Sequence, residues 1–460
     1  MEGIVMLRLV KIFMAAFMAL SFSLRPAFAD ELADLKAVVQ ELKGEYETRI
    51  QNLEAKIERL EAEQDKKVSD QVAAIKENIK KEIKEESFQA DYVGRHNAPA
   101  GNGGLLVKNP HGFGSVSVGG YADMEYFDLQ NSESTFKQHR WIMNIGAEVH
   151  DRIRFNSELE IEYGGPNVPN ADGEVKVEQA YMDYLINDKI NLRAGALLVP
   201  FGRYNLYHDS DLQDLTDRPL VARDVIPTTW TEAGYGFFGE FNPTIGSNED
   251  LTLGYELYAV NGLDSGFSDT GLSGARSSLK TDNNDNKGLV GRMTASPAVG
   301  HEVAASGYWG RYDSANDNAI TGIGVDTLNT FGPLEWINEY AYFDVEETPT
   351  LASDLANYFQ GAYSQLNYHF WPEFLSDTFL GRGFEHPTLT LVGRYDWAKI
   401  HDDSDAGIGA NKEDRYTIGL NYRPIDSFVI KFEYQFNDSD NEVLEAGKKD
   451  GFVTSVALGF

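Results

Sequence analysis

Cysteine is absent from all 460 residues, and that single absence removes disulfide frameworks, thiolate metal sites and cysteine nucleophiles together. It suits an oxidising compartment, where stray thiols are a liability. Long apolar runs are almost as scarce. Beyond the first 29 residues no stretch could form a transmembrane helix, and the mean hydropathy is −0.37. Any membrane crossing must therefore be made by another kind of element. Positive charge is also short, with 40 lysines and arginines against 72 aspartates and glutamates and a formal charge of −32. A surface of that sign disfavours nucleic acid. No serine or threonine stands in a recognisable motif with His96, His111, His139, His150, His208, His301, His369, His386 or His401. Without a nucleophile, a base and an orienting acid, the chain is not expected to be an enzyme. The acidic stretches at 282–286 and 402–405 offer oxygen ligands, but the glycine of an EF-hand loop is misplaced. No metal or cofactor is expected.

What is present is aromatic and glycine-rich: Tyr 23, Phe 26 and Gly 43, a composition that suits strands joined by polar loops. At the N-terminus Arg8 and Lys11 precede an apolar run from Ile12 to Leu24 that closes on Ala27, Phe28 and Ala29. This is a signal-peptide pattern over 1–29, with cleavage expected before Asp30. Residues 30–86 carry a stripe at three- and four-residue spacing, from Leu32, Leu35, Val39 and Leu42 to Ile79 and Ile83. The stripe predicts one long helix that pairs with copies of itself as a coiled coil. Runs of four-residue steps predict weak supercoiling. Pro99, Pro110, Gly101, Gly103 and Gly104 mark 87–114 as a linker.

From 115 onward the period changes to two. In 152–163 the residues Arg152, Arg154, Asn156, Glu158, Glu160 and Glu162 alternate with Ile153, Phe155, Ser157, Leu159, Ile161 and Tyr163. The same pattern predicts strands at 115–127, 137–149, 152–163, 174–186, 190–199, 231–241, 250–260, 288–296, 301–312, 319–329, 333–344, 357–370, 387–400, 413–423, 427–437 and 451–460. Connections alternate between tight turns, as at 150–151, and long loops, as at 200–230 and 261–287. That alternation is the rim asymmetry of an outer-membrane barrel, with its short turns periplasmic. Phe452, Thr454, Val456, Leu458 and the terminal Phe460 form an outward row on the last strand, which is expected to pair with the first near Val116 and Val118. The fold class is therefore an all-β transmembrane barrel of about 16 antiparallel strands, preceded by a coiled-coil helix. Residues 371–386 stand where a tight turn belongs, and a strand pair hidden there would make the barrel eighteen-stranded.

Aromatic residues near the strand ends, among them Tyr126, Trp141, Trp309, Trp336, Tyr395 and Tyr422, fit interfacial girdles in outer-membrane lipid. The inward row carries Arg140, Arg152, Arg154, Arg193, Arg292, Arg394, Arg415 and Lys431, with Glu158, Glu160, Glu162, Asp396 and Glu433. Rings of charge in a narrow lumen select ions. Loop 200–230, the third on its rim, holds Arg203, Arg218 and Arg223 among Asp209, Asp211, Asp214 and Asp217.

The segments Leu198-Val199-Pro200-Phe201-Gly202-Arg203, Asp217-Arg218-Pro219-Leu220 and 230–239 resemble the phosphate-selective porin O and P family and its dicarboxylate-porin relatives, some of which carry an N-terminal coiled coil. The resemblance implies a homotrimer whose third loop narrows the pore, with Arg203, Arg218 and Arg223 guiding small anions. The chain departs from that pattern in its acidic balance and in lacking a dense basic run. The expected function is a porin for small hydrophilic solutes, anion-preferring, in the bacterial outer membrane with its coiled coil in the periplasm. The rival is a structural tether whose coiled coil engages peptidoglycan and whose barrel is only an anchor.

Overall fold

The computed structural model describes residues 89–460 apart from 96, 99–102, 111–112, 167–172, 245–250, 269–270, 347–356, 402–410 and 440–448, together with α-helical residues 38–40, 43–44, 49 and 77. The expected signal peptide lies outside the described residues. So does the expected coiled coil, apart from those isolated helical positions.

Among the described residues one antiparallel sheet holds eighteen strands. The first two, β1 (Gln89–Tyr92) and β2 (Leu105–Lys108), form a hairpin inside the stretch read as a linker. The other sixteen are β3 (Ser115–Leu129), β4 (Thr135–His150), β5 (Ile153–Glu162), β6 (Val175–Asn187), β7 (Ile190–Leu198), β8 (Thr231–Phe241), β9 (Thr252–Val260), β10 (Gly288–Ala298), β11 (His301–Arg311), β12 (Ala319–Phe331), β13 (Leu334–Val345), β14 (Tyr358–Phe370), β15 (Thr388–His401), β16 (Asn411–Ile425), β17 (Phe428–Ser439) and β18 (Gly451–Gly459). Each pairs with its sequence neighbour, and β18 pairs with β3 to close a sixteen-stranded barrel. Closure follows from the alternation. An outward apolar row places the backbone in hydrocarbon, where an unpaired N–H or C=O costs several kcal/mol, so no edge can remain open.

The seam differs from expectation in register. Gly451–Gly459 pairs with residues 121–129, and Phe460 exchanges two backbone hydrogen bonds with Gly120 at 2.8 and 2.9 Å. Val116 and Val118 pair instead with Val107 and Leu105 of β2. β18 covers residues 121–129 of β3, and the hairpin strand continues the pairing along the same edge over residues 115–118. Residues 371–387 contain a 3-10 turn at Glu373–Leu375 and no strand, so the eighteen-stranded barrel is excluded. Trp371 stacks on the outward-facing Tyr422, whose hydroxyl donates to the Leu380 carbonyl. This segment therefore lies against the outer flank of the short-turn rim, which explains why its Phe374 and Phe379 are exposed.

The apolar core sits inside the barrel. Leu197, Val199, Phe201, Leu220, Val221, Val225, Ile226 and Trp230 pack there against Tyr258, Tyr308, Phe343 and Phe359 on the wall and against Leu263, Phe267 and Leu272 of the 261–287 connection. Phe201 meets Phe343 at 4.7 Å, and Trp230 meets Tyr308 edge-on at 5.0 Å. The inward rows of these strands carry rings where a uniform water-filled lumen would carry charge.

Candidate functional site

The connection from 199 to 230 leaves β7, turns inward and crosses the lumen. It contains one helical turn, α1 (Arg203–Leu206), and a wider one at Val221–Val225. A chain segment inside a barrel must find partners for its peptide groups, and the inward carboxylates of the wall supply them. The Tyr204 N–H donates to Glu339 on β13 at 2.9 Å, the Leu220 N–H to Asp396 on β15 at 2.8 Å, and the Thr216 N–H to Glu433 on β17 at 2.7 Å. Asp214 accepts from Asn367 on β14 and Asn421 on β16, while Lys431 donates to the Ser210 carbonyl at 2.7 Å. Several inward polar residues expected to face water are therefore loop anchors.

The loop divides the interior. On one side lies the apolar core, and on the other a polar gap faces β3 and β4. This gap holds a cavity of about 160 Å³ lined by Lys137, His139, Arg140, Arg218, Arg223 and Arg415 together with Glu125 and Asp217. A second cavity of about 280 Å³ shares Asp217, Arg223 and Arg415 with it and continues toward Glu413, Asp438 and Lys449 at the long-loop rim. The two cavities adjoin at these three residues, and the smaller is the more basic.

Most arginines expected to line the pore are neutralised by neighbours. Arg154 pairs with Glu148 at 2.9 Å, and Arg193 with Asp183 at 2.7 Å between the rings of Tyr181 and Phe238. Arg292 donates to Asp326 at 2.8 Å, and Arg394 to Asp396 at 3.0 Å. Arg203 pairs with Glu302 at 3.0 Å and lies off the basic cavity. Arg152 is exposed in the β4–β5 turn on the short-turn rim. Only Arg140, Arg218, Arg223 and Arg415 are brought together. Of these, Arg140 lies 3.4 Å from Glu160, Arg223 pairs with Asp224 and Glu413, and Arg415 is 3.5 Å from Asp217. Arg218 donates to the Thr228 carbonyl at 2.7 Å and forms no ion pair among the described residues.

The loop groups carry the electrostatic imprint of this crowding. Burial pushes the Asp217 carboxyl up, but Arg415 and the hydrogen bond from Gln435 outweigh it and hold Asp217 below the usual aspartate range. Arg276, in the 261–287 connection, keeps part of its side chain exposed, and its guanidinium is pulled below the usual arginine value by partial desolvation first and by the Arg218 charge second. Sequence reading missed Arg276, Lys137 and His139. Lys137 rests over the Phe127 ring at 3.9 Å. His139 is held by Glu125 at 2.9 Å and Asp123 at 3.0 Å, and Asp123 also accepts the Arg140 N–H at 2.8 Å. Those three side chains place ligand atoms close enough for a metal ion. With Lys137 and Arg140 alongside and Asp123 already bridging a register shift between β3 and β4, the group reads as a carboxylate-held histidine. No strand periodicity could have revealed it, because that irregularity reorders which residues face inward.

A family model described as phosphate-selective porin O and P matches residues 117–459. An uncharacterized protein of Aquifex aeolicus (strain VF5) is 27% identical over 366 residues, which span 72% of this chain and 78% of that protein. Among solved structures, Salmonella typhi OmpF in complex with daunomycin aligns with a TM-score of 0.49 and 14% identity over 75% of this chain and 98% of its own. The outer membrane channel DcaP of Acinetobacter baumannii aligns with a TM-score of 0.46 and 13% identity over 75% and 97%.

Proposed function

The chain belongs to the phosphate-selective porin O and P family and is an outer-membrane porin, and from that premise we propose that its channel passes small hydrophilic solutes with a preference for anions. The observation that carries this reading is the narrow cavity between the inward loop and the β3–β4 wall. There Arg218 has no ion-pair partner among the described residues, and Lys137 sits over a ring. One unit charge about 5 Å from a solute at an effective dielectric near 20 is worth roughly 3 kcal/mol, enough to bias partitioning several-fold even after screening. The paired arginines contribute less, because each carries its own counter-charge. Glu125 and Asp217 share the cavity, so phosphate is not singled out over other anions. The tether reading is not favoured, since a shaped and charged gap is surplus to a mere anchor.

A homotrimer in which residues 30–86 associate as a periplasmic coiled coil belongs to the same proposal. Planar-bilayer recording under a salt gradient tests the pore. The wild-type protein should reverse on the anion side, with Arg218→Ala and Lys137→Ala each moving the reversal potential toward cations by a several-fold change in permeability ratio. Arg203→Ala should move it little. A protein that opens no channel, or one whose reversal potential ignores both substitutions, overturns the proposal.

A further inference from the structure

We propose that the hairpin of β1 and β2 is a latch on the inward loop, and that Arg95 in its connection is a positioning residue for the constriction. Arg95 reaches into the lumen from the short-turn rim. Its Nε lies 2.8 Å from Asp211 Oδ2 and its Nη2 2.8 Å from Asp209 Oδ2, while its guanidinium covers the Tyr121 ring at 5.1 Å. The Arg95 side chain is 5% exposed and that of Asp211 1%. Asp209 is partly exposed, at 18%, but a carboxylate as far from water as Asp211 needs a cation beside it, and removing one partner of a buried pair leaves a charge that is costly to hold. The same turn is gripped from the wall, with Lys431 on the Ser210 carbonyl and Arg423 on the Asp211 carbonyl, each at 2.7 Å. Seven residues further along the chain is Arg218. Releasing the turn at 209–211 therefore frees the segment that carries the constriction charge.

The barrel is built to receive this contact. A Cβ at Gly459 would lie 2.4 Å from Asp211 Oδ2 and 2.7 Å from Arg95 Cδ, and a Cβ at Gly119 would lie 2.7 Å from the carbonyl oxygens of Gly103 and Phe460. Glycine stands where the hairpin backbone and the ion pair enter. The pore of this chain is thus fixed from two directions, by the wall and by the segment that precedes the barrel.

The inference rests on the reading of the barrel as a pore, so its test has a readout that does not need conduction. In the full-length protein, Arg95→Ala should speed amide hydrogen exchange at least tenfold within residues 207–217 while the strands keep wild-type exchange, and should raise open-channel current noise several-fold. Arg95→Lys, which keeps the charge, should restore most of both. Adding Asp209→Ala and Asp211→Ala to Arg95→Ala should change the exchange by less than the sum of the separate effects, since the three side chains share one contact and the added changes remove the unpaired charge. Unchanged exchange across 207–217 in a folded Arg95→Ala barrel overturns the latch. So does a variant that fails to assemble, because Arg95 would then serve the fold and not the loop. A barrel that conducts nothing but still shows the loop-confined exchange would sink the pore reading and leave the latch standing.

Discussion

At the scale of single residues, what matters is the company each charge keeps. Arg394, Arg292 and Arg193 each have a carboxylate within 3.0 Å, and a solute meets a dipole there. Among the described residues Arg218 bonds only a carbonyl, so its field extends into the gap. Asp217 is the counterpart on the loop. Its carboxyl is held low by Arg415 and Gln435 despite burial, so its contribution to loop position is fully present above the ordinary aspartate value of about 3.9 and is lost as pH falls through the lowered value. Open-channel noise should therefore stay flat from pH 7 down to about 4 and rise only below that range. Asp217→Asn should carry the raised noise at neutral pH and lose the acid-dependent step. A step near pH 6 would show that another group controls the loop.

At the scale of elements, the inward loop is held by two unlike kinds of contact. Its polar side is stitched to Glu339, Asp396 and Glu433, and its apolar side is packed as a protein core is packed. Trp230 joins them. The ring is fully buried against Phe201 and Tyr308, and the backbone N–H donates to Asn205 at 2.8 Å. Trp230→Ala should cost about 3–5 kcal/mol of loop docking. Calorimetry in detergent should show a low-temperature transition separate from barrel unfolding, while the heat-resistant mobility of the barrel on electrophoresis is retained. One cooperative transition at the wild-type temperature would mean that the ring does not hold the loop. The loop's inward course had a trace in the sequence, since Val199, Phe201, Leu220, Val221 and Ile226 are too apolar for an exposed connection of this length. Its path across five strands had none, because that depends on which wall carboxylates come within reach.

At the scale of the whole molecule, the seam between β18 and β3 closes the barrel. Phe460 contributes two backbone hydrogen bonds to Gly120 and an outward ring, and the remaining edge of β3 is taken by β2. Deleting Phe460 should reduce the yield of folded, heat-resistant barrel at least severalfold while leaving the conductance of the barrels that do form unchanged. Equal yields would remove the terminal residue from the closing step. The proposed trimer is checked by amine crosslinking in native membranes, where a ladder ending at three copies is expected and monomers alone would refute it. The cysteine-free chain also accepts single labelled cysteines without background, which makes distance measurements between protomers direct.

Local sequence specified the strand period, the sixteen-strand count once the 371–387 segment is recognised as a loop, the alternation of rim lengths and the inward rows away from the β3–β4 irregularity. All of these follow from local alternation and from turn chemistry, which the chain spells out residue by residue. Tertiary structure alone decided which charges face a solute. Arg193 and Arg218 look alike in sequence, yet one lies beside Asp183 and the other beside a carbonyl. It also decided that Gly120, and not Val116 or Val118, meets the terminal residue, and that a presumed linker closes the edge of β3 and delivers Arg95 into the lumen. Such pairings join residues more than a hundred positions apart, and only closure of the barrel brings them within hydrogen-bonding distance.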